Sequence, residues 1–269
     1  MKRTTIIVLL FGALLASTTT AGSAQSADLK TRLQIAEQMF QDRCKKAGEF
    51  IYRTSEDVEG VFLMKLRPKG MNYGDQFVMD DPYGRDLGGE GYIQSFLRGF
   101  ETRQAQFAPG SPPRLGYLYV EAIDPKDGKR YRYTGRIEEP WRYDSSYSKT
   151  YKRFVVDRTL ATDSAPRYGI TYDDISTREE REYWIAGSSL KVIDLKNNEV
   201  MAERVGYMMD RSQGNTSGGR APWLLAANNA CPSFQRNPNR PIPPGHGASA
   251  QQLQTEDFVE KILKPRLGN

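Results

Sequence analysis

Residues 183–210, YWIAGSSLKVIDLKNNEVMAERVGYMMD, decide the fold. Leu190, Val192 and Ile193 lead into Leu195, Lys196-Asn197-Asn198-Glu199 interrupts the run, and Val200, Ala202, Val205 and Tyr207 resume it. Two apolar-rich runs around a short Asn-containing turn predict an antiparallel hairpin, because Asn tolerates the left-handed backbone of such turns. A hairpin alone is marginal in water, so this one belongs to a larger sheet.

Further strands are expected on its N-terminal side. Glu49–Tyr52 and Val58–Leu66 read as the first ones, the latter apolar on both faces and therefore interior to the sheet. Gly116–Ile123 and Lys129–Ile137 are joined by Asp124-Pro125-Lys126-Asp127-Gly128, a second hairpin signal. Tyr117, Tyr119, Tyr131 and Tyr133, spaced by two, predict cross-strand aromatic pairs or a tyrosine-lined surface. Tyr151–Arg158 and Arg167–Tyr172 continue the strand pattern, and Arg178–Arg181, REER, reads as a solvated charge run. Leu33, Ala36, Phe40, Cys44 and Ala47 fall on one face of a helix over 28–47, with Gly48 as its stop. Thr255–Lys264 closes the chain as a short helix, with Thr255 as N-cap and Pro265 as stop. The fold class expected is α+β: a mainly antiparallel sheet with an N-terminal helix and a short C-terminal helix.

Residues 1–24 have the grammar of a signal peptide. Lys2 and Arg3 precede a short apolar run from Ile6 to Leu15, and Gly22-Ser23-Ala24 offers small residues before a cut ahead of Gln25. The run is short for a bilayer span. We therefore expect an exported periplasmic protein, one domain over 25–269 with a proline-rich C-terminal wrap over 232–250. Removing Lys2 and Arg3 takes the formal charge from +5 to +3. Charges of both signs are interleaved, which argues against nucleic acid as partner. The two cysteines, Cys44 and Cys231, are expected to pair in an oxidising compartment, two separate buried thiols being the alternative. The bridge would be worth on the order of 4 kcal/mol by loop closure.

Two loops hold the residues most apt for recognition. Residues 72–91, NYGDQFVMDDPYGRDLGGEG, combine Asp80, Asp81, Asp86 and Glu90 with five glycines. Three readings stay open: oxygen ligands for calcium, although the spacing is not that of the twelve-residue calcium loop; an acid/base pair; or a surface loop contacting a partner. Residues 138–150, EEPWRYDSSYSKT, gather Trp141, Arg142, Tyr143 and Tyr147. Trp, Tyr and Arg supply most interface hot spots because they bury much area at low entropic cost. Tyr83, Arg85, Trp141, Tyr143 and Tyr147 are the expected partner-binding anchors.

Catalytic machinery is hard to assemble from this chain. The single histidine, His246, lies in Pro243-Pro244-Gly245-His246-Gly247, a poor platform for the rigid base a Ser-His-Asp or Cys-His hydrolase needs. No Gly-x-Ser-x-Gly elbow, phosphate-binding loop or HExxH pair occurs. Two cysteines and one histidine do not furnish an ordinary zinc site. No catalytic residue, metal site or cofactor is therefore expected, with carboxylate-only hydrolysis left open among the 33 acids.

The segments VEGVFLMKLRPKG, DDPYGRDLGGEGYIQSFL, GYLYVEAI and LKVIDLKNNEVMAERVGYMMD, taken together, resemble the periplasmic immunity proteins of type VI secretion lipase effectors. The resemblance covers most of the chain after the leader and brings no individual binding residue with it. It implies a non-enzymatic role: binding and occluding a cognate lipase-type toxin encoded nearby. Two other readings stand beside it. One is a non-catalytic envelope module that binds glycan or another envelope protein; the other is a carboxylate-dependent hydrolase.

Overall fold

The computed structural model describes residues 18–69, 75–84, 87–100, 115–234, 251–252 and 254–267, with side chains from Asp28 onward. Its frame is the predicted hairpin. Strand β8 (Ile185–Asp194) pairs antiparallel with β9 (Glu199–Met209) from Ile185↔Met209 to Asp194↔Glu199. Asn198 takes φ 58° in the turn, the left-handed conformation that Asn accepts. The Asp194 carboxylate braces this turn by accepting from the Lys196 amide and from Arg167 and Arg53.

The other strands add on both sides. They are β1 (Gly48–Ile51), β3 (Gly60–Leu63), β4 (Tyr119–Ile123), β5 (Arg130–Glu138), β6 (Arg153–Leu160), β7 (Tyr168–Asp174) and the short β10 (Ala230–Cys231). The sheet runs β1-β9-β8-β7-β3-β4-β5-β6, with β10 also against β9. It is mostly antiparallel, and β3 is interior as expected. One feature departs from the expectation: β3 is parallel to both its neighbours, β4 and β7. Parallel pairing demands a long crossover, and residues 64–118 supply it between β3 and β4. A separate parallel pair joins β2 (Ser55–Val58) to β11 (Leu263–Pro265), which ties the C-terminal segment to the start of the fold.

Period-two alternation sorts the side chains by face. One cross-strand row, Ala122–Leu63–Ile170–Val192–Ala202, spans five strands. Its members are essentially buried. Over them pack Tyr92 and Ile93 of helix α2 (Glu90–Ser95), the following Phe96, and Phe258, Val259 and Ile262 of the C-terminal helix. The opposite face is covered at one end by helix α1 (Thr18–Cys44), whose Ala36 and Phe40 pack on Ile185, Tyr207 and Met209. Both predicted terminal helices are thus present.

Cys44 ends α1, with three residues between it and β1, and Cys231 lies in β10. Strands β1 and β10 dock side by side on β9, at Val205 and Tyr207 respectively. The two cysteines therefore meet where those strands adjoin, with Cα atoms 5.5 Å apart, and form the expected disulfide.

Several local expectations are corrected. Among the described residues the N-terminal helix covers Thr18–Cys44, stopping short of the expected Ala47, and Gly48 opens β1 instead of capping the helix. REER is not a solvated run. It forms helix α3 (Arg178–Glu182), capped by a reciprocal Thr177–Glu180 box, with Glu180 and Arg181 buried. Helix α4 (Pro222–Ala226) follows β9, and Trp223 fills a second cluster with Tyr83, Ala186 and Met208. The C-terminal helix α5 spans Gln254–Ile262, so Thr255 lies inside it and is not its N-cap. The tyrosines of the second hairpin do not pair with one another, because the register sets Tyr119, Tyr131 and Tyr133 against Thr134, Ala122 and Val120. Guanidinium groups take the rings instead: Arg132 lies 4.4 Å from the Tyr119 centroid and Arg158 lies 3.4 Å from that of Tyr131. Residues 1–17 of the expected leader and 235–250 of the proline-rich wrap, His246 included, lie outside the described residues.

Candidate protein-recognition surface

The connection between β5 and β6, residues 139–152, carries the aromatic-rich stretch singled out in the sequence. It starts with buried Pro140, which opens a single 3-10 turn, Pro140–Arg142. Proline fixes φ there, so the chain leaves β5 in one direction. The turns that follow close on themselves. Tyr143 and Asp144 amides donate to the Pro140 carbonyl (3.1 and 2.9 Å), the Ser146 amide to the Asp144 carboxylate (2.9 Å), and the Tyr151 amide to the Ser148 carbonyl (2.9 Å). A loop held by its own hydrogen bonds presents its side chains already ordered, which lowers the entropy lost on binding.

Its tyrosine side chains face outward. Tyr143 is 67 % exposed, and Tyr147 and Tyr151 stack on each other at 5.4 Å between centroids and 14° between planes. Trp141 is half-buried, with the Arg142 guanidinium 5.3 Å from its ring. Charged groups form the foot of the loop. Glu138 accepts from Arg153 (2.5 Å) and from Arg136, and it also receives the Tyr143 hydroxyl at 3.2 Å. The two guanidinium groups hold the Glu138 carboxyl down at about 2. Glu139 is likewise lowered by Arg142 (2.5 Å), with Lys152 adding to it from 3.6 Å. Exposed Ile137 lies at the loop end of β5, whereas exposed Leu160 and Ile123 lie at the far end of the same strands' ladder. Aromatic and apolar groups rimmed by alternating charge match the make-up of a protein-binding patch.

The expected anchors do not all reach this surface. Trp141, Tyr143 and Tyr147 lie together on the loop. Tyr83 does not join them, and its assignment as a surface anchor is corrected. It is 2 % exposed, packed 4.9 Å from the Phe234 ring and beside Met208, toward the β9 end of the sheet. A side chain enclosed in this way offers a partner no contact area. Arg85, like Asp86, lies outside the described residues. Sequence reasoning passed over Glu138, Arg153 and Tyr151; the four-residue step from Tyr147 to Tyr151 was the available signal for the last.

The acidic loop serves the fold. Asp80 pairs with Lys65 (3.1 Å) and accepts the Tyr172 hydroxyl (3.0 Å). Asp81 meets Arg67 at 2.6 Å, with both side chains wholly buried, and accepts Ser188 at 2.9 Å. The Arg67 guanidinium lies 3.8 Å from the Tyr172 centroid and against Gly84, where any Cβ would collide with it. Burial pushes the Asp81 carboxyl up, opposed by Arg67 and Ser188. Glu90 starts α2 and accepts from Gln94 at 3.1 Å. These carboxylates are held by different partners, and among the described residues no group of three potential ligands converges on a metal position. Also among the described residues, no helix is long and apolar enough to cross a membrane.

No family model, curated protein or solved structure matches this chain.

Proposed function

We propose that this chain is an exported periplasmic binding protein that neutralises a cognate toxin by covering it, the toxin being a lipase-type effector encoded nearby. The observation that carries the reading is the 139–152 loop: exposed Tyr143 and Tyr147 on a self-braced turn, with half-buried Trp141 on the same loop and exposed Ile137 at the adjoining end of β5. Occlusion needs a rigid surface and a few aromatic anchors, and it needs no reacting group. The long-range disulfide suits an oxidising compartment. The sequence resemblance supplies the class of toxin.

Two measurements test the proposal. Export of the neighbouring effector into the periplasm should kill cells, and co-expression of this protein should restore growth. Alanine at Tyr143 or Tyr147 should weaken effector binding by about 2 kcal/mol, roughly thirtyfold, while the melting temperature holds. Unchanged affinity in the Trp141→Ala/Tyr143→Ala/Tyr147→Ala variant would remove the loop from the interface. Failure of the wild-type protein to bind or rescue would remove the toxin reading altogether.

A further inference from the structure

The two edges of the sheet are finished differently. At one edge β9 is flanked by two short strands, β1 and β10, and the disulfide ties β10 to the end of α1 just ahead of β1. At the other, β6 pairs with β5 over eight consecutive residues with no bulge, and among the described residues nothing pairs with its outer side. It contains no proline, and Asp157 to Leu160 are exposed. Long, regular edges invite another strand, and proteins ordinarily guard them with prolines, bulges or charge. Here only charge is present, and its spacing is self-matching.

We propose that β6 pairs with β6 of a second copy of this chain, antiparallel about a two-fold axis at Val155. A two-fold axis perpendicular to a sheet keeps each side chain on its own face, so residues of equal parity stand opposite each other. With Val155 facing its own copy, Arg153 stands opposite Asp157 of the second copy, and Asp157 opposite its Arg153. Each row then reads Glu138–Arg153–Asp157–Thr134 across four strands, because β5 already sets Glu138 beside Arg153 and Thr134 beside Asp157. The signs alternate along the row. On the other face Phe154 meets Val156 of the second copy. At the flank the register brings exposed Leu160 (53 %) of one copy toward the turn that precedes β6 in the other, where Tyr147 and Tyr151 stack. The same register brings Arg158 opposite Lys152, and each has its own counter-ion: Asp124 at 2.7 Å for Arg158 and Glu139 at 3.6 Å for Lys152.

Strand pairing with so few apolar contacts falls below the area of a stable dimer, so association is weak and concentration-dependent. It stands independently of the toxin reading.

Sedimentation of the disulfide-bonded, leader-free protein from about 1 µM to about 1 mM tests it, together with Arg153→Asp and Asp157→Arg. The expected result is a monomer–dimer equilibrium in the wild type, weakened about tenfold or more in either variant alone by two like-charge contacts. Mixing the two variants should restore dimers, since every 153–157 contact becomes attractive again, and the double variant should dimerise by itself. Restoration by mixing also proves that both variants are folded. A wild type that stays monomeric throughout overturns the proposal. So does a dimer indifferent to either substitution, or a pair of monomeric variants that do not associate when mixed.

Discussion

The two ends of the sheet use the same chemical groups to opposite ends. At the β9 end and in the adjoining core, arginine–carboxylate pairs are wholly or largely enclosed: Arg67 with Asp81, and Arg220 with Asp210. Tyr83 and Trp223 are enclosed with them. At the β6 end the corresponding groups stand in water: Arg136 with Asp157, Arg153 with Glu138, and Tyr143, Tyr147 and Tyr151 above them. Sequence treats Tyr83 and Tyr143 alike, each in a polar loop among arginines and acids. Burial separates them into a core residue and a surface residue. Composition therefore marks where recognition could occur, and the packing of each loop decides which candidate remains available.

Cutting the clasp should have the largest effect. Cys44 and Cys231 are separated by 187 residues, and loop closure at that length contributes about 5 kcal/mol. In Cys44→Ser/Cys231→Ser the urea midpoint should fall by the amount that a loss of about 5 kcal/mol divided by the m-value implies. Amide exchange should rise first in β1 and β10, the strands stapled to β9. Uniform exchange across the sheet would mean that the clasp does not divide the molecule in this way.

Next in size comes the buried pair. Arg67→Ala leaves the Asp81 carboxylate enclosed without its cation, and breaking such a pair costs about 3–5 kcal/mol. Replacing both members with apolar residues should recover much of the loss, because the desolvation of two charges is removed as well. A double variant no better than Arg67→Ala would show that the cation's contact with the Tyr172 ring, not its charge balance, holds the site together.

How much of this was legible follows from the range of the interactions. The β8–β9 hairpin was readable because its signal is local: two apolar runs and an Asn turn. The disulfide was readable because only two cysteines exist. The parallel placement of β3 was not, since it depends on which strands the crossover brings back to the sheet. Nor was the burial of Tyr83, which is set by Phe234 and Met208 far along the chain. In the candidate surface, Trp141, Tyr143 and Tyr147 were found by residue type alone. Their ordering by Pro140 and their charged foot at Glu138 came only with the fold. REER was misread because a capping box and an apolar neighbourhood turned an apparent solvated run into a buried helix.

Acid titration sharpens the contrast at intermediate size. The Asp194 side chain is buried beneath the hairpin turn, and hydrogen bonding from Arg167, with the Lys196 amide and Arg53 behind it, lowers its carboxyl from 3.8 to about 2. A carboxyl lowered on folding contributes stability that is present above its unfolded pKa and lost as pH falls through the folded one. This contribution should therefore disappear between about pH 4 and pH 2. Asp81 has the opposite sign: burial raises it, so its share is present at low pH and lost as pH rises through the raised value. Asp194→Asn should lower the melting temperature at pH 7 and flatten its decline between pH 4 and 2. An unchanged acid slope would assign acid unfolding to other carboxylates.

The smallest effect is expected at the open end, and it bears most directly on the comparison. Arg136 and Asp157 meet at 2.8 Å, close to the 2.6 Å of Arg67 and Asp81, but both side chains are 50 % exposed where the buried pair is 0 %. Water and salt screen the exposed pair, and two mobile side chains lose entropy in forming it. Glu138 also keeps Arg153 when Arg136 is removed. Arg136→Ala should therefore leave the melting temperature at 0.15 M salt and micromolar protein unchanged within error. A fall approaching that of Arg67→Ala would make the charged foot of the loop a structural element, and the division between a closed end and a free end would not survive. No fall at all, combined with a loss of partner affinity, would separate the two ends cleanly: one holds the protein together, and the other is free to bind.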